Sequence, residues 1–124
     1  MERYIVLGHG SRNHESNQVV KSAAELLQQQ INQAVIPAFL QFEHPTLETA
    51  IEESISKGYS TINIVPMFLY PGVHMKRDIP GILSKQQAEY PEITFKLGEP
   101  IGTDPQLINI LQARAETAKI YHGN

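Results

Sequence analysis

Tyr4-Ile5-Val6-Leu7-Gly8, running directly into His9-Gly10-Ser11-Arg12, is the stretch on which the fold turns. It is a short apolar run closed by glycine and histidine, the form of a strand buried in a sheet. Residues 35–42 and 61–69 have the same form, and residues 93–97 give a weaker fourth strand. The segments between them carry helical periods. Val19, Ala23, Leu27 and Ile31 fall four apart, with Val20 and Ala24 widening the stripe. Leu47, Ala50, Ile51 and Ile55 make a second stripe, with Pro45 near its first turn and Gly58 past its end. Asp78 with Pro80 starts a third helix, through Ile82 and Leu83. Asp104-Pro105 starts a fourth, whose core face is Leu107, Ile108, Leu111 and Ala115. The order is βαβαβαβα. Strands alternating with helices imply right-handed crossovers, so an α/β fold of three layers is expected, a four-stranded, mainly parallel sheet with helices on both faces. No linker or internal repeat interrupts it, and residues 1–124 read as a single domain.

Composition narrows the chemistry. Ten Lys and Arg against thirteen Asp and Glu leave a net charge of −3, with no overall footprint for nucleic acid or anionic lipid. Cysteine is absent, which removes disulfides, thiolate metal sites and thiol catalysis together. The apolar runs are too short to span a bilayer. Met1-Glu2-Arg3 passes straight into the first strand without the pattern of a secretory leader, so a cytoplasmic location is expected.

In open parallel sheets ligands bind beyond the carboxyl ends of the strands, which here begin near His9, Glu43, Tyr70 and Gly98. Gly8-His9-Gly10-Ser11-Arg12 permits a tight turn and close approach of a ligand to the backbone. It is no dinucleotide fingerprint, since Asn13 stands at the third glycine position, and it is neither a phosphate loop nor a nucleophile elbow. It reads either as a capped strand-to-helix turn or as an imidazole offered to a ligand. His74 reads either as a surface residue near a helix start or as a second imidazole facing the same cleft. Lys76 and Arg77 beside it suit a substrate carrying carboxylates. Paired imidazoles with oxygen ligands suit Co²⁺, Ni²⁺, Zn²⁺ or Fe²⁺, and the lack of thiols argues against a closed structural zinc site. His14, His44 and His122 rank below these two.

The motifs taken together resemble one family. Gly8-His9-Gly10-Ser11-Arg12, then Ala38-Phe39-Leu40-Gln41-Phe42-Glu43-His44-Pro45-Thr46, then Val65-Pro66-Met67-Phe68-Leu69, then His74 followed by Asp78-Ile79-Pro80, look like the CbiX/SirB family of sirohydrochlorin chelatases. Pro100-Ile101-Gly102 also fits. The matches are collinear over almost the whole chain. The resemblance implies a class II chelatase fold and insertion of a divalent cation into sirohydrochlorin, an acidic tetrapyrrole of the cobalamin and sirohaem routes. Cobalt is the first expectation, with iron or nickel possible, and no organic cofactor is required. It implies that His9 and His74 handle the metal; Gly10, Ser11, Arg12, Gln41, Lys76 and Arg77 are the expected contacts of the tetrapyrrole. It further implies a homodimer, because the short family members work in pairs and the long ones fuse two such units. One departure stands out: the family's strand-2 carboxylate is replaced by Gln41, and an amide neither accepts a proton nor neutralises a dication. Glu43 is the natural substitute, sharing a face with Gln41 if the strand continues that far. The departure leaves a non-catalytic tetrapyrrole- or metal-binding module as the alternative. A phosphoryl-transfer domain rests only on fold analogy and Gly-His-Gly.

Overall fold

The computed structural model describes residues 1–123, save the side chain of His74, so the imidazole expected there lies outside the described residues. The elements are β1 (Glu2–Gly8), α1 (His14–Ile31), β2 (Val35–Phe39), α2 (Leu47–Ser56), β3 (Thr61–Pro66), a π-helical turn (His74–Asp78), α3 (Ile79–Glu89), β4 (Thr94–Leu97) and α4 (Pro105–Glu116). The four strands lie in the order β2-β1-β3-β4, and every pairing is parallel. The α/β fold is the one the alternation predicts.

Side-chain alternation divides the core in two. Ile5 and Leu7 of β1 and Ile62 and Ile64 of β3 point to the face covered by α2 and α3, where they meet Leu47, Ile51 and Ile79. Val6 of β1 and Val35 of β2 point the other way, to Ala24, Val20, Leu27 and Ile31 of α1. Local signals fix the helix ends. Thr46 accepts from the Thr49 amide to open α2, Asp104 accepts from the Gln106 amide (2.8 Å) to open α4, and Asn13 accepts from the Glu15 amide (2.9 Å) to open α1.

Five expectations change. In α1 the buried stripe runs through Val20, Ala24, Leu27 and Ile31, while Val19 is 57% exposed. A strict spacing of four overshoots the helical repeat at every step, so Val19 and Ile31 cannot share a face. β2 ends at Phe39, not at residue 42, because the chain bends away and Phe42 takes a left-handed φ of 65°. The alternation argument linking Gln41 to Glu43 therefore fails. β3 likewise stops at Pro66, and Met67 adds only one hydrogen bond, from its amide to the Leu7 carbonyl (2.8 Å). The third helix opens earlier than Asp78, on a π-helical turn in which Asp78 is already helical and forms no side-chain cap. The largest correction concerns α4. None of its residues is buried, Ile108 and Leu111 are 48% and 55% exposed, and the expected core face is not in the core.

Candidate functional site

Chain direction across the sheet reverses between β1 and β3, since β2 lies on one side of β1 while β3 and β4 lie on the other. The loops leaving β1 and β3 part there, opening a crevice at the carboxyl edge. His9 stands in that crevice. Its ring stacks on Phe68, centroids 4.1 Å apart and planes 23° from parallel. Phe68 is buried and His9 is exposed, so a fixed apolar plate backs an imidazole that reaches solvent. The pair lines a cleft of about 230 Å³ with Met67, Leu69, Tyr70 and Gly72.

The loops after β1 and β2 are interlocked. Leu40 and Gln41 donate their amides to the carbonyls of Gly8 and His9, each at 3.1 Å. Gly10 adopts a φ of 87°, and a Cβ there would overlap the Gln41 carbonyl, so only glycine lets the two backbones meet. Arg12 sits over the Phe42 ring, 4.7 Å from its centroid, and closes the outer end of the same junction.

Asn17 holds this junction from below. Its side chain is buried, accepts from the Ser11 amide (2.8 Å) and donates to the Ser11 carbonyl (2.7 Å). The same amide lies 3.5 Å from Glu43 Oε2, which also takes Lys21 Nζ at 3.3 Å. Glu43 Oε1 accepts the His44 amide at 2.9 Å. The His44 N–H and then the Lys21 ammonium hold the Glu43 carboxyl below its ordinary range. Glu43 thus stays ionised and is a weak base.

His9, Gly10, Ser11, Arg12, Gln41 and Glu43 therefore meet at one edge through the interlocked loops. Lys76 and Arg77 are exposed on the π-helical turn, with Arg77 Nε 3.8 Å from Asp78. Among the described residues no group of three His, Asp or Glu converges as a metal cage. Sequence reasoning did not single out Phe68 or Asn17. The one signal for Asn17 is a polar side chain next to a helix's apolar stripe, whereas Phe68 is indistinguishable from its aliphatic neighbours.

Fold and site together define an open parallel α/β domain that presents an aromatic-backed imidazole at its topological switch point. Residues 3–118 match the CbiX family model, and the chain belongs to that family. It is 35% identical over 112 residues to a sirohydrochlorin cobaltochelatase of Sulfurisphaera tokodaii, covering 90% of this chain and 89% of the relative. It is 29% identical over 116 residues to a sirohydrochlorin cobaltochelatase of Priestia megaterium, covering 94% of this chain but 38% of that protein. Among solved structures it is similar to the sirohydrochlorin chelatase SirB of Bacillus subtilis subspecies spizizenii in complex with cobalt, with a TM-score of 0.80 and 30% identity, over 93% of this chain and 50% of SirB. The chain thus spans half or less of some of the relatives it matches and nearly the full length of others.

Proposed function

We propose that this chain is a sirohydrochlorin chelatase of the cytoplasm, inserting Co²⁺, Fe²⁺ or Ni²⁺ into the ring as substrate, without an organic cofactor. The observation that carries the reading is His9, an exposed imidazole stacked on Phe68 at the switch point of a CbiX-family sheet. Metallation must strip water from the cation, hand it to four ring nitrogens and remove two pyrrole protons. An imidazole suits the first task, because it binds divalent ions firmly enough to desolvate them and loosely enough to release them. His9 takes the ion with His74, which follows β3 in the chain. Glu43, kept ionised by His44 and Lys21, lends negative charge to the edge rather than acting as proton acceptor. Gly10, Ser11, Arg12 and Gln41 border the macrocycle, and Lys76 and Arg77 meet its carboxylates.

The working unit is a homodimer of this single domain. The His9 cleft, at about 230 Å³, is smaller than the roughly 300–1,000 Å³ typical of sites that enclose a small ligand. One copy offers a tetrapyrrole one wall, and a second copy supplies the other. Some relatives are about twice as long as the region they share with this chain, in keeping with two walls in one chain.

The test is a titration with Co²⁺ beside a turnover assay on metal-free sirohydrochlorin, followed by its absorbance. His9→Ala and His74→Ala are each expected to lose Co²⁺ affinity. Wild-type affinity should fall as pH drops through roughly 6.5, where ordinary imidazoles protonate. Unchanged affinity in both variants overturns the assignment. Gln41 favours a second reading, in which the edge binds without inserting. Co²⁺ and tetrapyrrole binding with no turnover would establish that reading instead.

A further inference from the structure

Phe42 holds a backbone conformation that its side chain disfavours. Its φ of 65° lies in the left-handed region, where a bulky side chain crowds the following carbonyl. The loop after β2 has a reason to turn there. Leu40 and Gln41 are still bonded to Gly8 and His9, while the Phe39 amide already accepts its partner from the far side of the loop, donating to the Pro45 carbonyl at 2.9 Å. Glycine or asparagine makes such a reversal at least cost. The chain places phenylalanine instead and leaves the ring 54% exposed, so burial does little to offset the strain. Backbone strain that the fold does not need collects at sites that hold ligands.

What the ring touches gives its use. Arg12 lies over it, 4.7 Å from the centroid. A second arginine also stands on a ring, and the contrast is informative. Arg3, 5.0 Å from the Tyr59 centroid, is buried and donates from Nη1 to Glu53 and to Ser54, each at 3.2 Å. Its guanidinium is complete within the fold. Arg12 is exposed, and among the described residues no acceptor bonds its guanidinium. An arginine on a free stem samples many rotamers, and ordering it on binding costs affinity. A ring beneath the cation restricts it beforehand and leaves its planar fork of donors to match a carboxylate.

We propose that Phe42 is a positioning residue, which holds Arg12 as a preset receptor for a peripheral carboxylate of the tetrapyrrole. The left-handed backbone is kept because it sets the ring beneath the guanidinium. Arg12 comes from the loop after β1 and Phe42 from the loop after β2, so the receptor is assembled by the same interlock that carries His9. The macrocycle's rim and its metal are thereby addressed from one junction. The proposal rests on the chelatase reading and adds how the rim of the substrate is recognised.

The test is a titration of the intact chain with metal-free sirohydrochlorin, followed by absorbance, beside a calorimetric titration with Co²⁺. Arg12→Gln and Phe42→Leu are each expected to raise the sirohydrochlorin dissociation constant on the order of tenfold, as for loss of a charge-assisted contact. Phe42→Leu/Arg12→Gln should bind no more weakly than Arg12→Gln alone, because the ring acts through the guanidinium. Losses that multiply in the double variant overturn the proposal, as does wild-type affinity in Phe42→Leu. Co²⁺ affinity should stay at the wild-type value in Phe42→Leu, and its loss would mean that the ring supports the His9 loop instead. Phe42→Asn suits a left-handed backbone. It is expected to bind sirohydrochlorin as weakly as Phe42→Leu while keeping a urea midpoint at or above that of the wild type. A lower midpoint means that the ring packs for the fold, and a lower mass by light scattering means that it faces a second copy; either overturns the assignment. A wild-type chain that binds Co²⁺ but no sirohydrochlorin overturns the chelatase reading together with the proposal, whereas failure in the variants alone leaves that reading standing.

Discussion

On the α2 and α3 face of the sheet, Ile5, Leu7, Ile62, Ile64, Leu47, Ile51 and Ile79 are all sealed from solvent. On the opposite face the buried set shrinks to Val6, Ala24 and Val35, and the outer side of α1 leaves Val19 and Leu26 more than half exposed. Both faces belong to the same strands, but β3 and β4 turn Ile62, Ile64, Phe95 and Leu97 to the first face and Thr61, Asn63, Thr94 and Lys96 to the second. Which helices return to cover each face follows that division. A crossover helix is bound to its sheet at both ends by the strands it connects. No strand among the described residues follows α4, and its apolar face stays exposed.

Substitutions on the two faces should separate sharply. Ile64→Ala, on the sealed face, is expected to cost about 2–5 kcal/mol in urea unfolding, since the surrounding side chains cannot collapse into the space. A loss under 1 kcal/mol would mean that face is looser than its burial states.

Gly10→Ala tests the edge where the two faces meet. Its positive φ alone costs on the order of 1–3 kcal/mol, and the Gln41 carbonyl must also move. Both stability and Co²⁺ affinity should fall, and a variant that keeps wild-type affinity would show that the interlock does not position His9.

A smaller effect is expected at the rim of the sealed face, where Glu53 accepts Arg3 at 3.2 Å and Lys57 at 3.1 Å. Lys57 and then Arg3 hold the Glu53 carboxyl below its ordinary value of 4.5. A lowered folded-state value means the contribution is present above that pH and is lost as pH falls through the folded value. Glu53→Gln should therefore cost about 0.5 kcal/mol near neutrality, as for a half-exposed pair. Its unfolding curve should converge on the wild type in acid. A gap that widens in acid would reverse the assignment.

The smallest effect belongs to the open face. Leu26→Ala should change the stability of a single copy by no more than about 0.5 kcal/mol, since nothing covers it there. A large loss there would show that α1's outer side is packed within the monomer.

What could be read from the sequence follows the same division. The four strands and the crossover helices were legible because local chemistry sets them: apolar runs give strands, apolar stripes give helices, and Asp104 with Pro105 gives a helix start. The carboxyl edge was legible because parallel topology fixes it, and His9 stands on it. The ends of β2 and β3 were not legible. Phe42 looks like strand by composition, and its left-handed backbone follows directly on Leu40 and Gln41, which bond to Gly8 and His9 far earlier in the chain. Nor was the state of α4. Periodicity shows that a helix has an apolar face but not which surface that face meets. Glu43 was found as a residue, but its tie to Lys21 is a contact between elements that no spacing announces.

The stacking of His9 on Phe68 also equips the molecule with its own reporter. An aromatic ring 4.1 Å above another shields the protons of its neighbour through the anisotropic field of its ring current. The carbon-bound protons of the His9 imidazole should resonate upfield of those of His122, whose side chain stands in solvent. A diamagnetic ion such as Zn²⁺ would shift them by withdrawing charge, and paramagnetic Co²⁺ would displace them far more. Five histidines in a chain without tryptophan make a sparse aromatic spectrum, so the arrival of metal at this one ring can be followed without a label.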